Sequence, residues 1–130
     1  MRRFIRQIVS LKPVVSQSTQ NVGEVLEQLD RDDLDAAVVV DSKGAIMGVA
    51  VREELKKAES LKKITELLNI DWSTVSVDAS MEAAFKYKST WLVPVDNKGG
   101  PLGVIPRSKI IDLVFETYET TLNQLNTVMD

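Results

Sequence analysis

The sequence predicts an α+β fold in which two pseudo-symmetric β-α-β-β-α repeats pack sheet to sheet, with helices flanking them at both termini. Three observations carry that expectation. The first is an internal repeat: Val38-Val39-Val40-Asp41-Ser42-Lys43-Gly44-Ala45-Ile46-Met47-Gly48-Val49-Ala50-Val51-Arg52 returns as Val93-Pro94-Val95-Asp96-Asn97-Lys98-Gly99-Gly100-Pro101-Leu102-Gly103-Val104-Ile105-Pro106-Arg107, with Asp, the following Gly, the second Gly and Arg in the same relative places. Such a repeat is one supersecondary unit used twice; two units that cannot bury their own apolar faces pack together and leave a cleft between them. The second is that short β-branched runs and helically spaced apolar residues succeed one another in the same order within each copy. The third is size: 130 residues and 14.5 kDa allow one compact core and are too few for two conventional domains. The copies are therefore halves of one domain spanning 1–130: repeat one about 13–60, a connecting segment about 61–72, repeat two about 73–114, and a C-terminal helix about 108–130.

Taken in order, Phe4, Ile5, Ile8, Val9 and Leu11 suit one face of a short helix ending before Pro13, which would cover the core and leave Arg2, Arg3 and Arg6 outside. Val14-Val15 is a brief extended segment. Polar residues from Ser16 to Asn21 then cap a helix whose buried face carries Val22, Val25, Leu26 and Leu29. The acidic run Asp30-Arg31-Asp32-Asp33-Leu34-Asp35 ends it; a calcium loop would need Gly and Glu where Asp35 and Asp41 stand, so the run reads as a solvated loop. Ala36–Val40 has the apolar composition of a strand buried on both faces. A turn at 41–44 leads to a return strand at Ile46–Val51. A helical pattern begins at Arg52 and runs through Leu55 and Ala58, and Leu61, Ile64, Leu67 and Leu68 continue at helical spacing to Asn69.

The second copy opens at Val75–Asp78. Its helix is expected over Ser80–Tyr87 with Met81, Ala84 and Phe85 inward, followed by a strand at Leu92–Val95, a turn at Asn97–Gly100 and a return strand at Leu102–Ile105. The last helix starts near Ser108. Ile111, Val114, Tyr118, Leu125 and Val128 fit a seven-residue repeat with Thr121 in its weak slot and Leu122 and Met129 beside the seam. That pattern suits a dimerising helix; packing on its own domain is the alternative.

Composition narrows the function. With no Cys there is no disulfide, thiolate nucleophile or thiol metal site, and with no His the usual base at neutral pH and both common catalytic triads are missing. These absences argue against an enzyme and a metal centre. A net charge of −3 argues against nucleic acid as the main partner. The first residues do not form a signal peptide and no run reaches the length of a membrane span, so a cytoplasmic location is expected. The glycines follow no phosphate-loop pattern and sit in hairpins. Trp72 and Trp91 read as core or interface anchors. What remains are two strand-to-helix junctions, each bringing Arg52 or Arg107 and free backbone N–H groups to a helix start, where an anion is favoured. Solvation or pairing with carboxylates is the competing reading for both arginines.

At these residues the chain resembles a pair of CBS motifs, the cystathionine-β-synthase-type repeats that form a Bateman module. The likeness covers about residues 13–114: the buried strand ending in Asp41 or Asp96, the D-x-x-G turn, the strand at Gly48 or Gly103 and the helix that follows. It implies a non-catalytic regulatory sensor, often a homodimer, holding AMP, ADP, ATP or S-adenosylmethionine between the repeats and signalling through the C-terminal helix to an effector such as a transcriptional regulator. The alternative is a ligand-free dimerisation or protein-interaction module.

The family pattern has Ser or Thr at the helix start and, three residues on, an Asp that holds the ribose. Those places are Val51 and Pro106, and Glu54 and Lys109. Glu54 keeps an acceptor and Lys109 does not. By resemblance one cleft joins Val49, Val51, Arg52 and Glu54 with Thr74 and Thr90, and this is the one expected to hold a nucleotide. The second joins Val104, Pro106, Arg107 and Lys109 with Val14 and Asp35 and suits a more anionic ligand.

Overall fold

The computed structural model describes residues 3–9 and 14–129; side chains at 117, 118, 120, 121 and 123–129 fall outside that description. Repeat one consists of β1 (Val15–Gln17), α1 (Val22–Asp32), β2 (Ala36–Val40), β3 (Ile46–Val51) and α2 (Arg52–Leu55). Repeat two consists of β4 (Trp72–Ser76), α3 (Met81–Phe85), β5 (Trp91–Val95), β6 (Ile105–Pro106) and α4 (Arg107–Met129). Each forms a three-stranded sheet, in the orders β1-β2-β3 and β4-β5-β6, with a parallel first pair and an antiparallel second pair. The parallel pairs need a crossover, and α1 and α3 supply it.

Side-chain alternation on the central strands decides the layering. In β2, Ala37 and Val39 face α1 with Val22, Val25 and Leu29, while Ala36, Val38 and Val40 face the other sheet. There they meet Val49, Val51 and Val93, with Trp72, Trp91, Val95 and Val104 packed around them. The two sheets therefore pack face to face, and each helical layer lies outside its own sheet.

Caps and turns follow the sequence. The Asn21 side chain accepts from Glu24 N–H at 2.9 Å and starts α1, and Ser80 does the same for α3 through Ala83 N–H at 3.1 Å. Asp33 ends α1 in the left-handed conformation, φ 51°. Asp41 and Asp96 each accept two backbone N–H bonds inside their hairpin turns, which place Gly44 and Gly99 at φ 83° and 81°.

Several expectations change. Residues 5–8 form one 3-10 turn with Ile5 fully buried and Phe4 40% exposed; Arg2, Leu11 and Pro13 lie outside the described residues. The helix expected up to Asn69 is a 3-10 turn at Ile64–Leu67, because the backbone there bonds to repeat one instead of to itself: Val22 N–H donates to Lys62 C=O and Ile64 N–H to Gln20 C=O. Leu61 is exposed. Phe85 is turned outward, since α3 ends there after five residues.

The return strand expected at Leu102–Ile105 shrinks to Ile105–Pro106. Pro101 has no N–H to give the ladder and Gly103 has φ 118°, so the hairpin is held there by an isolated bridge, Leu102 N–H on Pro94 C=O and Asp96 N–H on Gly100 C=O. On α4, Ile110 is buried, Ile111 and Val114 are half-buried, and Leu122 is exposed. The heptad positions Tyr118, Thr121, Leu125 and Val128, and Met129, lie outside the described side chains.

Candidate functional site

Both junction arginines have structural work inside their own repeat. Arg52 donates from Nε to Asp30 at 2.8 Å and from Nη1 to Asp33 at 3.0 Å, and its side chain is 19% exposed. Hydrogen bonding to Asp33 first, then to Asp30, raises its pKa above the ordinary arginine value. Arg107 donates from Nε to Tyr87 C=O at 2.6 Å and from Nη2 to Phe85 C=O at 3.3 Å, with its guanidinium 5.4 Å from the centre of the Phe85 ring. The acceptors lie at the C-terminal ends of α1 and α3, where a cation satisfies the dipole and free carbonyls. Each arginine thus ties the helix after its hairpin to the helix before it. The acidic run at 30–35 is partly an arginine clamp.

The segment between the repeats bonds to residues of the first cleft. Val49 and Asn69 exchange both backbone hydrogen bonds, Val49 N–H to Asn69 C=O at 3.3 Å and Asn69 N–H to Val49 C=O at 2.8 Å. The Asn69 amide donates to Glu54 Oε1 at 3.2 Å. On the opposite wall, Thr90 donates from N and Oγ1 to the Asp71 carboxylate. A Cβ built at Gly48 would stand 3.0 Å from the Leu68 Cβ, which measures how closely the segment is pressed on β3. Val49, Glu54 and Thr90, three of the six residues of this cleft, are therefore bonded to the protein's own residues 69–71. Val51 is buried between the sheets and Arg52 is clamped. Thr74 is exposed on β4 opposite Val93.

The pseudo-equivalent place is open. A cavity of about 190 Å³ lies between the repeats, with Val14, Asp35, Val104, Pro106 and Lys109 in its lining, five of the six residues of the second cleft. Arg107 is turned away to the end of α3. The walls are otherwise mainly apolar: Ile8 and Val9 from the N-terminal segment, Leu34 and Ala36 from repeat one, and Trp91, Pro94 and Leu102 from repeat two. Asp33, Asp35 and Lys109 add the charges, and of these Asp33 is engaged by Arg52. The cavity is below the usual range for drug-sized ligand sites, roughly 300–1,000 Å³.

Ile8, Val9 and Trp91 were not legible as cleft residues, yet a signal was present. Ile5-x-x-Ile8-Val9 matches Ile64-x-x-Leu67-Leu68, and Ile5 stands as far before Val22 as Ile64 does before Met81. The repeat begins earlier than its glycine pattern suggests.

No protein-family model matches the chain. Over 121 residues, 88% of its length, it is 27% identical to the A-adding tRNA nucleotidyltransferase of Aquifex aeolicus (strain VF5), and it spans 15% of that enzyme. Among solved structures, the CBS domain pair of protein MJ0100 in complex with 5-methylthioadenosine and S-adenosyl-L-methionine is similar at TM-score 0.71 and 20% identity, over 91% of this chain and 99% of that one. The CBS pair domain of the putative Mg2+ transporter SO5017 from Shewanella oneidensis MR-1 gives 0.67 at 20% identity, over 89% and 72%. The cytosolic domain of the Mg2+ channel MgtE in complex with ATP gives 0.62 at 27% identity, over 78% and 44%.

Proposed function

We propose, from the premise that the chain folds as a tandem CBS domain pair, that it is a non-catalytic regulatory module that takes an adenosine-containing ligand in its second cleft. The carrying observation is the cavity that joins Val14, Asp35, Val104, Pro106 and Lys109 across the two repeats, while Val49, Glu54 and Thr90 of the first cleft are bonded to residues 69–71. In this reading the expected order of the clefts is reversed. Among the described residues the Asp35 carboxylate has no partner, and it accepts hydrogen bonds from ribose hydroxyls; Lys109 offers an ammonium to a phosphate. The acceptor lost from the helix start is replaced from the opposite wall. That MJ0100 and MgtE were solved with adenosine-containing ligands supports the ligand class.

The ligand state would reach an effector through α4, whose first turns pack on repeat two through Ile110. A transcriptional regulator is one effector class, supported by the similar CBS domains of a transcriptional regulator from Streptococcus pneumoniae. The likeness to a tRNA nucleotidyltransferase adds a nucleic-acid enzyme as another. Assembly as a homodimer belongs to the same proposal.

Calorimetry with AMP, ADP, ATP and S-adenosylmethionine tests the ligand. Asp35→Ala and Lys109→Ala should each weaken binding by about fivefold or more, roughly one charge-assisted hydrogen bond. Glu54→Ala should leave it within twofold. Absence of heat with all four at millimolar concentration contradicts the reading and favours the ligand-free interaction module.

A further inference from the structure

We propose that the N-terminal strap, Phe4–Val9, is the lid of the second cleft, and that strap docking and ligand occupancy stabilise each other. The inference deepens the nucleotide reading and rests on it for the ligand's identity. Its basis is a symmetry between the strap and the segment that joins the repeats. That segment bridges Lys63 to Asn21, the cap of α1; Val22 N–H donates to Lys62 C=O, Ile64 N–H donates to Gln20 C=O, and Ile64 is buried in the core of repeat one.

The strap bridges Phe4 to Ser80, the cap of α3; Met81 N–H donates to Arg3 C=O, Ile5 N–H to Ala79 C=O, and Ile5 is buried in the core of repeat two. Each segment precedes one repeat and docks on the other. Both continue as one 3-10 turn, Ile5–Ile8 and Ile64–Leu67.

The consequence is geometric. Leu68 presses on Gly48 and Asn69 bonds to Val49 and Glu54 at the first cleft, whereas Ile8 and Val9, the equivalents of Leu67 and Leu68, form a wall of the second and leave room beside it. Strap docking rests on Ile5 in the core of repeat two, on Ile8 and Val9 packed against that core, on three backbone bonds, and on the Arg6–Asp78 pair at 2.8 Å, whose side chains are 65% and 69% exposed. A short segment held by one fully buried side chain, two partly buried ones and an exposed ion pair opens locally, at less than the cost of global unfolding. A ligand that touches Ile8 and Val9 binds the docked form better, and linkage requires that it favour docking by the same factor.

Two arms test this on the full chain. In a Trp72→Phe background, acrylamide quenching reads access to Trp91, which lines the cavity. Ile5→Asp should raise the quenching constant at least twofold with circular dichroism unchanged. Because a buried Asp can unfold repeat two, Arg6→Asp should raise it by less, and adding Asp78→Arg should restore it. Unchanged quenching in folded Ile5→Asp and in Arg6→Asp overturns the lid.

In the second arm, Ile8→Ser should weaken ATP binding several-fold and Ile8→Val should stay within twofold. ATP bound equally by wild type and Ile8→Ser overturns the coupling. If quenching rises but neither ATP, ADP, AMP nor S-adenosylmethionine binds wild type, the nucleotide reading falls, the coupling falls with it, and the lid stands.

Discussion

Arg107 shows at the residue scale how one side chain chooses between two sites within reach. The junction offers an anion site, but the nearest acceptors are the Phe85 and Tyr87 carbonyls that α3 leaves unsatisfied, and Arg107 is held on them. Arg107→Ala should lower unfolding stability by about 1–2 kcal/mol, the usual cost of such bonds, and leave ligand affinity unchanged, read by urea denaturation and calorimetry. Gly44 and Gly99 hold equivalent left-handed turn positions with nothing within 4 Å of an added Cβ. Ala at either should cost about 1 kcal/mol from backbone strain alone.

Asp96 carries a pH signature. The N–H groups of Gly100 and Lys98 hold its carboxyl below the ordinary carboxylate value. A folded pKa below the unfolded one stabilises fully above the unfolded value, and that contribution fades as pH falls through the folded value. Urea midpoints measured from pH 7 down to 2.5 should therefore lose a component that Asp96→Asn lacks.

At the scale of elements, what was legible depended on whether the local pattern and the tertiary contacts agreed. Ala36–Val40 and Ile46–Val51 are strands over the expected residues because their apolar runs are buried within and between the sheets. The asparagine cap of α1 is local and was likewise expected in kind. The helix expected at 61–69 failed because the periodicity of Leu61, Ile64, Leu67 and Leu68 is shared by two functions: Ile64 anchors on repeat one while Leu68 presses on Gly48. No local signal separates these.

Five of the six residues expected at the second cleft line one cavity, while the partners of the first-cleft residues were not legible. Partners for Glu54 and Thr90 come from a segment whose docking is a tertiary event, and Asp35 gained its place from the loop after α1. Ile5→Ala and Ile64→Ala should each cost about 2–4 kcal/mol, as buried large-to-small changes do, when unfolding is followed by denaturant. Equal costs would express the symmetry of the two segments.

The whole molecule keeps its symmetry in the scaffold and spends it at the clefts. Each sheet has the same order and each arginine clamps the same helix end, yet residues of one cleft are bonded to residues 69–71 and the other holds a cavity of about 190 Å³. Among the described residues no helix is long and apolar enough to cross a membrane. The differences concentrate where a ligand would touch: Glu54 bonded to Asn69 on one side, Lys109 at an open cavity on the other.

A two-dimensional amide NMR titration with ATP locates the ligand most directly. The account predicts saturable shifts centred on Val14, Asp35, Val104, Ile105 and Lys109, with Val49, Glu54 and Thr90 unmoved. Shifts centred on Val49, Glu54 and Thr90 would contradict it.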